Sequence, residues 1–245
     1  MLARLYHAHH ERHLEDLPFW LELARQQGSP ILELGCGSGR IMLPLRRAGY
    51  SVVGLERDPD MLTTLREAME PGMAGQVELV QGDMAAFALG QRFSLIILPC
   101  NTFSTLSAAQ RQGTLECVRE HLQPEGLFVA SLPNPLVLKR LPRHSEPEIE
   151  ESFPHPLDGE PVQVSSAWER GSQFLTIHWH YDHLLPDGRV ERVSTQVSHS
   201  LAPVETYLAE LGAAGLSLVE RFGDFDRSPY TQEAPFLILL AGLCF

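Results

Sequence analysis

From residue 30 to about 133 short apolar runs alternate with stretches of helical period. Runs at 30–34, 51–55, 77–81, 93–98 and 126–132 are rich in aliphatic and β-branched residues and predict strands, and the intervening 39–48, 59–69 and 107–121 predict helices. Parallel neighbours need a crossover between them, so this alternation predicts an α/β, Rossmann-like sheet that is mostly parallel, with helices on both faces. Pro44 is tolerable only if its helix begins close by. Beyond Pro133 the period changes. Proline and charged residues crowd 133–161 and predict a lid-like connection. Two-residue alternation over 161–170, 173–184 and 189–200, with turns at Arg170-Gly171-Ser172 and Pro186-Asp187-Gly188, predicts a three-stranded antiparallel meander. Helical spacing returns after Pro203 through Tyr207, Leu208, Leu211 and Ala214, with Gly215 as its cap, and strands at 216–222 and 235–242 bring the sheet to seven. The expected organisation is one domain built from 1–135 and 203–245, interrupted at 136–202 by a lid and an antiparallel substrate cap.

Composition narrows the partners. A chain of 245 residues with 44% apolar content can bury a substantial core. With 19 basic against 31 acidic residues the formal net charge is −12, and no Lys/Arg cluster offsets it, so a nucleic-acid partner is disfavoured. Cys36, Cys100, Cys117 and Cys244 form no CxxC pair, and the polar, histidine-rich start does not read as a secretory leader. A cytoplasmic protein with reduced thiols is expected. No apolar run approaches the roughly 20 residues of a membrane span.

The chemistry begins at Gly35, Gly37 and Gly39, which stand between a strand and a helix. Backbone N–H groups and the positive helix end are expected there beside a polar or anionic ligand. The dinucleotide fingerprint has GxGxxG, whereas this loop reads GxGxG, with Arg40 where the third fingerprint glycine would fall. Glu33-Leu34-Gly35-Cys36-Gly37-Ser38-Gly39 resembles the first motif of the class I S-adenosylmethionine-dependent methyltransferases. Gly54-Leu55-Glu56-Arg57-Asp58, Val80-Gln81-Gly82-Asp83-Met84 and the strand from Arg92 to Pro99 are similar to the three motifs that follow it in that family. Each feature alone also fits an ordinary doubly wound domain with solvated carboxylates; their order along one sheet makes the likeness specific. A nicotinamide oxidoreductase would share the first two motifs and not the third.

The resemblance implies S-adenosylmethionine as cofactor, with Gly35, Cys36 and Gly37 at its methionine part, Glu56 at the ribose, and Asp83 with Met84 at the adenine. Tyr6 is implied as a cofactor-lid residue on a helix before the first strand. Glu33, Gly39, Arg57, Met61, Leu98 and Phe103 complete the expected cofactor-binding set, the last two near the transferred methyl.

Leu98-Pro99-Cys100-Asn101-Thr102-Phe103 lacks the Asn/Asp-Pro-Pro-aromatic sequence of methyltransferases that act on planar amines. Pro99-Cys100 is similar to the nucleophilic dipeptide of cytosine C5 methyltransferases, but no other motif of theirs accompanies it. What remains is methyl transfer to an oxygen or nitrogen of a small-molecule acceptor. A nucleic-acid or protein methyltransferase and a non-catalytic cofactor-binding protein are the alternatives. Asn101, Phe103 and Tyr230 are candidates to border the acceptor, with Phe225 and Asp226 at its rim. His178, His180 and His199 are candidates for a general base, which is worth about 10²–10⁴-fold where one acts. His9 and His13 have i, i+4 spacing that suits a metal, but no other ligand cluster points to the same place, so no metal is expected and that helix face reads as an ordinary polar one. One face of the meander is free to meet the sheet or a second subunit, which leaves a homodimer open.

Overall fold

The computed structural model describes residues 1–73 and 77–244. Strands β1 (Ile31–Leu34), β2 (Val52–Glu56), β3 (Glu78–Gln81), β4 (Phe93–Leu98) and β5 (Leu122–Pro133) run parallel. The seven-stranded order is β10-β11-β5-β4-β1-β2-β3, with β11 (Phe236–Leu243) antiparallel to both β5 and β10 (Leu216–Phe222). Every residue of β1 and β4 is buried, which fits their near-continuous apolar sequences: helices cover both faces, so neither face has to be polar. Successive side chains on a strand enter opposite layers. Leu32 and Leu34 join Phe128 and Tyr207 on one side, while Ile31 joins Trp20, Met42 and Ile97 on the other.

The helices begin where the sequence supplies caps. Asp58 caps α4 (Pro59–Ala68) by accepting from the Asp60 N–H, and Pro59 takes the first position, where its missing N–H costs nothing. Ser107 and Gln110 form a reciprocal capping box on α5 (Ala108–His121). Helix α3 (Met42–Arg47) starts later than its apolar pattern suggests, which leaves Pro44 in the first turn. Two helices, α1 (Leu2–His10) and α2 (Leu17–Gln27), precede β1.

The stretch after β5 corrects the reading of 133–161 as connection alone. Asn134 caps a short helix, α6 (Pro135–Arg140), and Glu148–Pro154 forms a strand, β6. The inserted sheet therefore has four strands, β6-β7-β8-β9, with β7 (Pro161–Arg170), β8 (Phe174–Leu184) and β9 (Val190–Ser200) lying close to the expected meander. The signal for β6 is faint because it is an edge strand of mostly exposed residues, three of them glutamates, in which only Phe153 is buried. Phe153, Val162, Val164 and Tyr181 pack with Leu5 of α1, so the insertion closes over the N-terminal helix. The chain then returns through α7 (Val204–Ala213) to β10. None of the described helices is long and apolar enough to cross a membrane.

Candidate active site

The strand order reverses at β1, which lies between β2 and β4, and in open α/β sheets this reversal leaves a crevice at the carboxyl ends of the strands. A cleft of about 400 Å³ opens there. Tyr6, Glu33, Gly35, Cys36, Gly37, Glu56, Arg57, Met61, Asp83 and Met84 all line it.

The glycine loop works differently from its expectation. The N–H groups of Gly35 and Cys36 both donate to the Leu55 carbonyl, Gly37 donates to Glu56 Oε2 at 3.0 Å, and Gly39 donates to the Cys36 carbonyl. These four donors are bonded within the protein, so the loop offers room rather than amides. Gly35 and Gly37 have φ of +67° and +53°, and a Cβ on Gly37 would meet no atom within 4 Å, whereas one on Gly39 would lie 2.9 Å from Leu43. Gly39 therefore packs the loop against α3 and does not line the cleft.

Carboxylates punctuate the walls. Glu56 is held rigidly, accepting from Gly37 through one oxygen and from the Asp58 N–H through the other at 2.9 Å. Asp83 uses Oδ1 to accept from the Ala85 N–H. Glu33 is 2% exposed, and its Oε2 is buried with no hydrogen-bond partner. Burial raises its carboxyl to about 8 despite the opposing pull of Arg40, so a cation placed beside it favours the ionised form. A buried oxygen facing a cleft with nothing to bond is suited to a cationic or N–H-bearing ligand.

A second cavity of about 1130 Å³ adjoins the first, and Tyr6, His10, Arg40, Cys100, Thr102 and Thr105 belong to both. Its floor is the turn after β4, where Cys100 and Asn101 adopt consecutive left-handed conformations with φ of 59° and 61°. Non-glycine residues rarely take this conformation, and where they do the strain commonly marks a working site. Asn101 Oδ1 is buried without a partner. Cys100 Sγ lies 3.0 Å from the Arg40 guanidinium. The protein packed around it nevertheless raises its thiol above the ordinary value, which does not favour the thiolate that covalent attack would require.

The inserted sheet forms the roof through the odd-numbered side of β8, with Ile177 and Trp179 beside Val197 and His199 of β9. His178 and His180 are thereby corrected: strand alternation turns them away, and His180 pairs with Ser194 on the other face. His199 lines the cavity. The Ser104 hydroxyl donates to the Asn101 carbonyl at 2.7 Å, so His199 Nδ1–H donates to Ser104 Oγ at 2.8 Å and Nε2 is left as the acceptor. Burial lowers its imidazole to about 4.

Three other expected residues lie elsewhere. Leu98 and Phe103 are completely buried in the core, Phe103 against Phe128 and Tyr207, because the side chains at the end of β4 and in the following turn point into the helix layer. Tyr230 donates its hydroxyl to Asn134 Oδ1 at 2.9 Å and lines neither cavity, although its neighbours Phe225 and Asp226 do line the second. Sequence reasoning missed His10. Its ring stacks on Tyr6 at 4.0 Å, its Nδ1–H donates to the Tyr6 carbonyl, and burial followed by the neighbouring His9 lowers it to about 4. The i, i+4 spacing of Tyr6 and His10 on one helix was the available signal.

The family model described as "Methyltransferase domain" matches residues 31–126, the segment that supplies the cleft's glycine loop and the carboxylates of Glu33, Glu56 and Asp83 in its walls. The CcbJ methyltransferase from Streptomyces caelestis is 26% identical and has a TM-score of 0.75, over 94% of this chain and 90% of that one. Residues 31–126 thus carry a methyltransferase domain, and the fold is that of S-adenosylmethionine-dependent methyltransferases. S-adenosylmethionine is accordingly the cofactor of this methyltransferase. The protein YqeM of Bacillus subtilis (strain 168) is 24% identical over 220 residues, 87% of this chain and 84% of that one. The dTDP-3-amino-3,4,6-trideoxy-alpha-D-glucopyranose N,N-dimethyltransferase of Streptomyces venezuelae is 30% identical over 104 residues, 42% of each chain. That match spans less than half of the relative. The methyltransferase's partnerless Glu33 oxygen, rigid Glu56 and open Gly37 together fit a ligand with an ammonium group, a ribose and an extended backbone.

Proposed function

We propose that this chain transfers the methyl group of S-adenosylmethionine to the nitrogen of a small amine. The carrying observation is the partnerless Asn101 Oδ1 on the strained turn where the two cavities meet, within a cavity that carries the carboxylates of Glu15, Asp58, Asp224 and Asp226. An acceptor oxygen orients an N–H, and the carboxylates attract a cation. Trp179, Phe225 and Ile177 supply an apolar wall for the acceptor's body. The Streptomyces venezuelae relative methylates an amino-sugar nitrogen, as its name states, which supports nitrogen over oxygen.

When bound, the cofactor supplies an already activated methyl, so the protein's task is alignment, exclusion of water and removal of one proton. Alignment of reactants is worth about 7–11 kcal/mol at best. Glu33 receives the methionine ammonium, Glu56 the ribose hydroxyls, and Asp83 with Met84 the adenine, while Tyr6 closes over them. His10 and His199 are both uncharged at neutral pH, each with Nε2 free of its proton, so either can accept the proton that an ammonium must lose before its lone pair is available. The free thiols of Cys36, Cys100, Cys117 and Cys244 are suited to a cytoplasmic setting.

Glu56→Ala is expected to weaken S-adenosylmethionine binding by about 2 kcal/mol, roughly thirtyfold, with the fold intact; an unchanged dissociation constant would remove Glu56 from the ribose site. The acceptor is tested by mass spectrometry of a panel of amino sugars, some free and some nucleotide-linked, each paired with its hydroxyl analogue. Methylation of the free amines with little turnover of the hydroxyl analogues is the expected result. Equal kcat/KM on amine and hydroxyl would overturn the nitrogen assignment.

A further inference from the structure

At the edge of the acceptor cavity, α1 and the inserted sheet bring a second set of ligand-type side chains together. His9 Nε2 lies 3.3 Å from Glu151 Oε1, and His13 Nε2 lies 3.4 Å from the same oxygen. Glu150 Oε2 stands 3.5 Å from His9 Nε2. These separations are long for hydrogen bonds, which favour roughly 2.7–3.2 Å. They match the edge of a tetrahedron, because four ligands at about 2.0–2.1 Å from a central zinc ion stand roughly 3.3–3.4 Å apart.

The way the site is held argues for design rather than chance proximity. Consecutive residues of a strand normally face opposite ways, but β6 carries a bulge between Ile149 and Glu151, and both Glu150 and Glu151 reach His9. His9 is 4% exposed, and its Nδ1 lies 3.1 Å from the buried Tyr181 hydroxyl, the outer partner that a metal-binding imidazole ordinarily has. With Nδ1–H donating to Tyr181, the Nε2 lone pair points into the cluster. Glu150 is oriented from behind by the Trp179 indole N–H at 3.1 Å. In the other histidine pair with an acid, His155 Nδ1 and His183 Nε2 reach the same Asp158 oxygen at 3.0 and 3.3 Å, but the rings are stacked at 3.9 Å and 9°, so their lone pairs lie in parallel planes and do not meet at one point.

We propose that His9, His13 and Glu151, with Glu150 beside His9 and the fourth position open to solvent, bind a divalent transition metal of the zinc class that pins the N-terminal helix to the edge strand of the inserted sheet. Two imidazoles and carboxylate oxygens form a donor set that suits zinc or cobalt better than magnesium or calcium. His13 also lines the acceptor cavity, so the ion fixes that wall.

The test titrates full-length, chelator-treated protein with Co²⁺ and with Zn²⁺. One ion per chain is expected, with the visible absorption of four-coordinate cobalt and a rise in Tm on adding zinc that EDTA reverses. His13→Ala, at a half-exposed position, and Glu151→Gln should each abolish the cobalt spectrum while unfolding like the wild type in EDTA. Tyr181→Phe keeps the ring and removes the outer hydrogen bond, and should weaken affinity about 10–100-fold. Absence of stoichiometric binding, or binding that survives unchanged in both ligand variants, would overturn the site.

Discussion

Asp16→Ala is expected to lower the unfolding free energy by about 3–5 kcal/mol, the usual cost of removing one partner from a buried ion pair. Arg40 and Asp16 form a two-pronged bridge whose side chains are only 15% and 10% exposed, and Asp16 also accepts from the Trp20 indole at 2.9 Å. Trp20 is wholly buried. Deleting the carboxylate therefore leaves a guanidinium facing both cavities without its partner and an indole N–H unbonded in the core. In a chain of this length the loss corresponds to a fall in Tm on the order of 10 °C. Thermal unfolding measures it, and a change below about 1 kcal/mol would mean that the bridge contributes no more than an exposed one.

Phe103→Ala should cost a comparable amount, about 3–5 kcal/mol, because it empties a large core site. Its ring has no exposed surface and contacts Phe128 and Tyr207 at centroid distances of 6.3 and 5.9 Å. The sequence places Phe103 beside the transferred methyl, whereas the fold uses it to anchor the turn that carries Thr102 and Thr105. Denaturant unfolding of the variant, paired with its affinity for S-adenosylhomocysteine, distinguishes the two roles. Lost affinity at unchanged stability would return Phe103 to the cofactor wall.

These two residues show where reading from sequence succeeds and where it stops. The parallel half of the sheet was legible because buried strands leave uninterrupted apolar runs and their caps are explicit, as at Asp58-Pro59 and Ser107. The glycine loop and its carboxylates were legible because chemistry constrains residue type along a contiguous stretch. What eluded it depends on contacts remote in sequence. The edge strand β6 has only Phe153 buried, and its glutamates find their partner in His9, more than a hundred residues earlier. Strand alternation separates His178 and His180 from Trp179, but which side roofs a cavity is decided by how the sheet docks, and it docks by the odd-numbered side. The loop amides were misjudged for a similar reason. Leu55 and Glu56, about twenty residues further on, already take them.

In the proposed function the carboxyl ends of β1, β2 and β3 form one seat for an adenosyl cofactor. Isothermal titration of the wild-type protein with S-adenosylhomocysteine tests it most directly. Saturable heat at one ligand per chain is the predicted result; a flat titration with properly folded protein would contradict it.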